Sequence, residues 1–89
     1  MKLTNMLSNK GNRIANQFII TDDLGNTYFQ SYKSIIAKQD TTGQTWLDCN
    51  TWDYSTTTAK YRNIFLGETL KETKTKIKNG VYILIDLNS

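Results

Sequence analysis

The sequence predicts an α+β fold: an antiparallel sheet of about five strands with two short helices on one face, in the order β-β-β-β-α-α-β. Three observations predict it. Before Asn50 the chain is a series of short runs in which apolar and β-branched residues alternate with polar ones, separated by Gly-, Asn- and Asp-rich clusters. Asn50 to Gly67 carries a helix start, an apolar stripe and a helix stop. After a short basic segment, Val81 to Leu87 alternates once more. A sheet with one apolar face needs helices to cover it, and this chain supplies two.

Lys2 to Leu7 reads as a first strand. Ser8-Asn9-Lys10-Gly11-Asn12-Arg13 is turn chemistry, with Gly and Asn able to take positive φ. Ile14 to Thr21 is dense in β-branched and aromatic residues at Phe18-Ile19-Ile20, and Asp22-Asp23-Leu24-Gly25-Asn26 connects it to the next strand. Thr27 to Lys38 is long for one strand. Tyr28, Gln30 and Tyr32 share one face until the alternation fails at Ile35-Ile36-Ala37. A bulge near Ser34 would reset the faces; the alternative is a strand that stops at Tyr32 and a new one from Ser34. The bulge is the preferred reading. Asp40-Thr41-Thr42-Gly43-Gln44 turns the chain into Thr45 to Cys49, which holds Trp46.

Asp53 or Ser55 can cap the first helix, and Gly67 can close it. Thr57, Tyr61, Ile64 and Phe65 form the expected inward stripe, leaving Lys60, Arg62 and Asn63 outside. Thr69 with Glu72 has capping-box spacing for the second helix, whose narrow stripe is Leu70, Thr73 and Ile77. Asn79-Gly80 ends it. In the final strand Val81, Ile83, Ile85 and Leu87 face one way and Tyr82, Leu84 and Asp86 the other. Leu84 implies a strand that is central or partly covered on both faces.

Eighty-nine residues make one small domain, spanning 1–89, and 38% hydrophobic content suffices for its core if the large side chains converge. The expected core is Trp46, Trp52, Tyr61, Ile64 and Phe65. A lone cysteine, Cys49, excludes an intrachain disulfide and reads as a small buried hydrophobe in a reducing compartment. The start of the chain has no long apolar run, so neither a signal peptide nor a membrane span is expected, and a bacterial cytoplasm is the expected address. Histidine is absent, and with it the commonest general base and metal ligand. No phosphate-cradling glycine pattern occurs, and the Asp22-Asp23 pair reads as a solvated turn. No catalytic residue, metal or cofactor is implied. Asp53 can cap a helix or pair with Arg62 or Lys60.

Charge suggests one surface. The net charge is only +3, but Lys60, Arg62, Lys71, Lys74, Lys76 and Lys78 crowd the helical segment. They form either a solvated face or a phosphate-tracking surface. Tyr28 and Tyr32 either pack across strands or offer a stacking platform for bases.

Lys10-Gly-Asn-Arg-Ile-Ala-Asn-Gln-Phe-Ile-Ile20, Tyr28-Phe-Gln-Ser-Tyr32 through Ile36-Ala37, and Trp52-Asp-Tyr-Ser through Lys60-Tyr-Arg-Asn to Phe65-Leu-Gly67 together give the chain a recognisable pattern. It resembles a family of short proteins of unassigned function encoded by tailed bacteriophages, plasmids and related mobile elements. Where that pattern often has a basic residue after Trp-Asp-Tyr-Ser, Thr56 stands here. The resemblance implies a virus or mobile-element origin and a bacterial cytoplasm, and it brings no catalytic residue.

Two functions fit these observations. One is a non-enzymatic accessory factor that binds and blocks a host protein, a defence system among the candidates. The alternative is a nucleic-acid-binding accessory protein, for DNA or RNA, that uses the basic side and the tyrosines. A homodimer through an edge strand such as the first is compatible with either.

Overall fold

The computed structural model describes residues 1–88. Six strands form one sheet in sequential order: β1 (Lys2–Leu7), β2 (Arg13–Thr21), β3 (Thr27–Ser31), β4 (Ser34–Gln39), β5 (Thr45–Asp48) and β6 (Tyr82–Ile85). Helices α1 (Thr56–Leu66) and α2 (Leu70–Lys78) lie between β5 and β6. The expected antiparallel sheet of about five strands is therefore a mixed sheet of six. β1 to β5 pair antiparallel, but β6 runs parallel to β5. Parallel neighbours cannot be joined by a tight turn, and the two helices form the crossover.

Three connections share one design. Ser8–Asn12, Asp22–Asn26 and Asp40–Gln44 each begin with a side-chain acceptor and carry glycine at the fourth position with φ between 79 and 90°. The hydroxyl of Ser8 and the carboxylates of Asp22 and Asp40 accept backbone N–H groups from within their own loops. Each loop also closes with the same pair of main-chain bonds, as in Gly25 N–H to Asp22 and Asp22 N–H to Asn26.

The fourth reversal differs, and it replaces the preferred single long strand over Thr27–Lys38 with the alternative, a strand that stops at Tyr32 and a new one from Ser34. The chain turns at Tyr32-Lys33, with Tyr32 at φ 56°. A bulge does occur, but further along: β4 has one residue more than β3 between the pairs Phe29–Ala37 and Gln30–Ile35. It accounts for the failed alternation, because Ile36 and Ala37 are both fully buried.

The core cluster is Met6, Phe29, Ile36, Ala37, Leu47 and Tyr82, with Ile14, Ile19, Trp52, Tyr61, Phe65, Leu66 and Ile77 packed against it. Phe65 of α1 stacks on Phe29 of β3, with centroids 5.8 Å apart. Ser55 caps α1 by accepting the Thr58 N–H, and Gly67 closes it at φ 70°. Its buried face is rotated from the expected one. Thr57 is exposed and Ile64 is 57% exposed, whereas Thr58 and Arg62 are fully buried. The inward stripe is Thr58, Tyr61, Arg62, Phe65 and Leu66, an unbroken three-and-four spacing. The capping box of α2 is present, with Thr69 and Glu72 bonded in both directions.

β6 is an edge strand and not a central one. The carboxylate of Glu68 ties it to α2: it accepts the Tyr82 hydroxyl at 2.6 Å, the Lys76 ammonium at 2.7 Å and the Thr73 hydroxyl. Cys49, expected inside, is exposed just after β5.

Candidate interaction surface

Strand register decides which side chains share a surface. Pairing places Ile19, Phe29, Ala37 and Leu47 in one row across β2 to β5, and this row lies beneath the helices. The next row, on the opposite face, is Leu3, Ile20, Tyr28, Lys38, Trp46 and Ile83. Phe18, Gln30 and Ile35 flank it on one side. Both helices are on the other face, and this second, helix-free face is open in part: Leu3 and Ile83 are exposed, Phe18, Tyr28, Lys38 and Trp46 are half-buried, and Ile20 is buried.

Lys38 is the charged centre of the open face. Its ammonium lies 5.7 Å from the Tyr28 ring centroid and 5.1 Å from that of Trp46, between two cross-strand aromatic neighbours. The Tyr28 hydroxyl donates to Asp22 at 2.9 Å. Burial, aided by the nearby Asp22 charge, holds the Tyr28 phenol above its ordinary 10.0. The side-chain amide of Asn26 is the main influence on Asp22. Together with loop N–H groups and Tyr28 it draws that carboxylate down to about 2 against an opposing effect of burial. At one end of the face a cleft of about 240 Å³ is lined by Met1, Ile20, Asp22, Tyr28, Ile35 and Leu87. The Asn88 side chain closes this end by bonding both the N–H and the C=O of Ile35.

The sequence-predicted surface residues do not form one site. Tyr28 belongs to the open face, while Tyr32 is exposed in the β3–β4 turn. Trp46, expected in the core, stands on the open face beside Lys38. Lys71, Lys74 and Lys78 are exposed on α2, and Lys60 is exposed on α1 with its ammonium 5.4 Å from the Tyr61 ring. Lys76 is instead engaged by Glu68, which raises its pKa above the ordinary value.

Arg62 is removed from the surface altogether. Its Nη1 donates to the Trp52 carbonyl at 2.6 Å and to Asp53 Oδ1 at 3.1 Å, and its Nη2 donates to Asn63 at 2.8 Å. The guanidinium sits 5.4 Å from the Trp52 ring. It is a structural staple between α1 and the segment leading into it. A second groove, of about 300 Å³, lies between the β1–β2 turn and α1, where Leu7, Ile14, Lys60, Tyr61 and Ile64 line it. Among the described residues no three Cys, Asp or Glu side chains gather within metal-binding reach.

Residues 1–80 match a family model described as a family of unknown function, DUF8033. The chain belongs to DUF8033. The match spans β1 to β5 and both helices, so Tyr28, Lys38 and Trp46 all lie within the part of the chain that defines DUF8033 membership, and β6 follows it. No curated protein and no solved structure matches this DUF8033 chain.

Sequence reasoning missed Lys38 and placed Trp46 elsewhere, yet a signal for both was present. The repeated five-residue loops set the register of the strands they join. Counting outward from Asp40–Gln44 pairs Lys38 with Trp46, and counting from Asp22–Asn26 pairs Ile20 with Tyr28.

Proposed function

We propose that this protein is a non-enzymatic accessory factor of a bacteriophage or mobile element that works in the host cytoplasm. It binds and blocks a host protein through the open face of its sheet. A component of a defence system is the class of target that the phage-like resemblance favours. The observation that carries this reading is the helix-free row of Leu3, Ile20, Tyr28, Trp46 and Ile83 around Lys38, in which Leu3, Ile83 and the neighbouring Ile85 are exposed, Tyr28, Trp46, Phe18 and Ile35 are half-buried and Ile20 is buried. A contiguous apolar face of this kind on a small domain marks an interaction site. Tyr28 and Trp46 are of the aromatic types in which the energetic centres of protein interfaces are enriched. No helix among the described residues is long and apolar enough to cross a membrane.

The second reading, nucleic-acid binding, rests on Lys60, Lys71, Lys74 and Lys78, which are exposed and outside every ion pair among the described residues. Against it, Tyr28 is on the opposite face of the sheet from these lysines, so stacking and phosphate contacts would fall on different sides of the molecule. Aliphatic side chains also dominate the open face.

Affinity capture from a bacterial host lysate tests the two together. The host protein retained by the wild type should be retained by Lys71→Glu/Lys74→Glu/Lys78→Glu and lost by Lys38→Glu/Trp46→Ala. A salt-sensitive shift of DNA or RNA that the α2 variant abolishes would replace the first reading with the second.

A further inference from the structure

Beyond its open face the molecule has an unguarded sheet edge. We propose that the outer edge of β6 pairs antiparallel with β6 of a second copy, with Ile83 on the two-fold axis. The orientation of the β6 backbone carries this. The Ile85 carbonyl accepts the Cys49 N–H, and the Val81 carbonyl accepts Nε2 of Gln44, so the odd-numbered residues turn their main-chain groups toward β5. By strand alternation the N–H and C=O of Tyr82 and Leu84 point outward, where no described residue pairs with them.

One register satisfies all of these groups. With Ile83 opposite Ile83 of the second copy, Tyr82 stands opposite Leu84 in both directions. Each such pair then exchanges two main-chain hydrogen bonds. Ile83 becomes a non-hydrogen-bonded pair with its Cα atoms about 4.5 Å apart. The same register keeps the faces in phase. Val81, Ile83 and Ile85 meet Ile85, Ile83 and Val81 on the open face, whereas a one-residue slip would set open-face side chains against helix-side ones.

The occupant is a second copy because the strand is complementary to itself. Val81, Ile83, Leu84 and Ile85 are 40–53% exposed. Neither lysine, proline nor a bulge guards them. The other edge, β1, is blunted by Lys2 and by a register shift in which Ile14 to Gln17 of β2 oppose Met6 alone. Tyr82 lies at the foot of α2 through its bond to Glu68, whereas Leu84, two residues on, is left uncovered by its own helices. In the dimer each Leu84 lies beside Tyr82 of the other copy and under that copy's α2. The net charge of +3 on each copy opposes association, so added salt tightens the dimer, opposite to a nucleic-acid complex.

Sedimentation equilibrium of the full chain at low and high salt tests the proposal. The wild type should be a dimer that strengthens with salt. Leu84→Pro removes an outward N–H together with the Leu84 side chain while leaving the inward-facing main-chain groups of β6 in place, and it should give a monomer with an unchanged circular dichroism spectrum. Independently of that variant, Ile83→Cys in a Cys49→Ser background should oxidise to a disulfide-linked dimer, and Leu3→Cys in the same background should not. A wild-type monomer at every salt concentration overturns the proposal. So does a folded Leu84→Pro that remains dimeric, or cross-linking through Leu3→Cys in place of Ile83→Cys.

Discussion

The backbone N–H of Tyr32 donates to the carbonyl of Asn16 at 2.7 Å, joining the two described non-glycine residues that hold a left-handed backbone, at φ 56° and 65°. Asn16 sits in the irregular part of β2 where four residues oppose Met6, and Tyr32 opens the β3–β4 reversal. Each distortion supports the other across the sheet. Asparagine adopts this conformation readily, but tyrosine does not.

Tyr32→Gly should therefore raise the urea midpoint. The left-handed conformation costs an L-residue about 1–2 kcal/mol, against about 0.4–1 kcal/mol for the greater freedom of glycine in the unfolded chain. The Tyr32 ring is half exposed, so its loss removes little packing. Equilibrium unfolding of the two proteins decides it: a lowered midpoint would show that the ring contributes more than the strain costs.

Arg62 and Asp53 should behave as one unit in a double-mutant cycle. Arg62 is fully buried and Asp53 is about a third exposed, so the pair is only partly screened by water. Arg62→Ala should cost about 3–5 kcal/mol, because it leaves a cavity and strands the Trp52 carbonyl. Asp53→Ala alone should cost about 1–3 kcal/mol through the buried guanidinium left behind. In an Arg62→Met background Asp53→Ala should cost far less. Additive losses would mean that the two groups are not coupled.

What the sequence made legible follows the reach of each signal. Strand and helix limits lay close to those observed because alternation, caps and Gly-containing loops act within a few residues. The Tyr32-Lys33 reversal has no glycine and depends on a carbonyl sixteen residues away, so local pattern offered it only as the alternative to one bulged strand. Counting Arg62 as polar turned the α1 stripe by one position and brought Ile64 inward in error. The buried guanidinium is held by Trp52, Asp53 and Asn63, a tertiary arrangement. Of the open face only Tyr28 was anticipated, since Lys38 and Trp46 join it through register and not through any feature of their own.

Acid should unfold the protein progressively below the ordinary carboxylate range. Burial raises the Asp48 pKa, but the Thr51 hydroxyl, the Leu87 N–H and neighbouring donors outweigh it and leave the group below 3.8. Asp40, bonded first to Thr42, and Glu68, whose burial is outweighed by Lys76, Thr73 and Tyr82, are lowered as well. A carboxylate depressed by folding contributes stability that is complete above its unfolded pKa and is lost as pH falls through the folded one. Stability should thus decline from about pH 5 downward, and Asp22 keeps its charge until about pH 2. Asp48→Asn should cost about 1–3 kcal/mol at neutral pH, because one amide oxygen replaces two acceptors, and should flatten the acid limb. Urea midpoints measured from neutral to acid pH would show both; an unchanged slope in the variant would remove Asp48 from the acid response.

Gln17 poses the opposite problem, a polar group inside with nothing to satisfy it. It pairs with Ser31 in the sheet register and is 1% exposed, and neither its amide oxygen nor its nitrogen has a partner among the described residues. The hydroxyl of Ser31, its cross-strand partner, is already committed to a hydrogen bond with Thr58 at 2.9 Å. A buried amide without bonds costs about 1–3 kcal/mol relative to water on mutational scales. Methionine has nearly the same length and volume and no donor or acceptor to strand, so Gln17→Met should stabilise the fold by about 1–2 kcal/mol. Gln17→Ala should destabilise it, because the cavity under α1 outweighs the relief. Thermal and urea unfolding of the three proteins separate the effects. If Met is no better than Gln, the amide is already satisfied in solution, and conservation of its hydrogen bonds would then explain why a polar side chain occupies the sheet face that α1 covers.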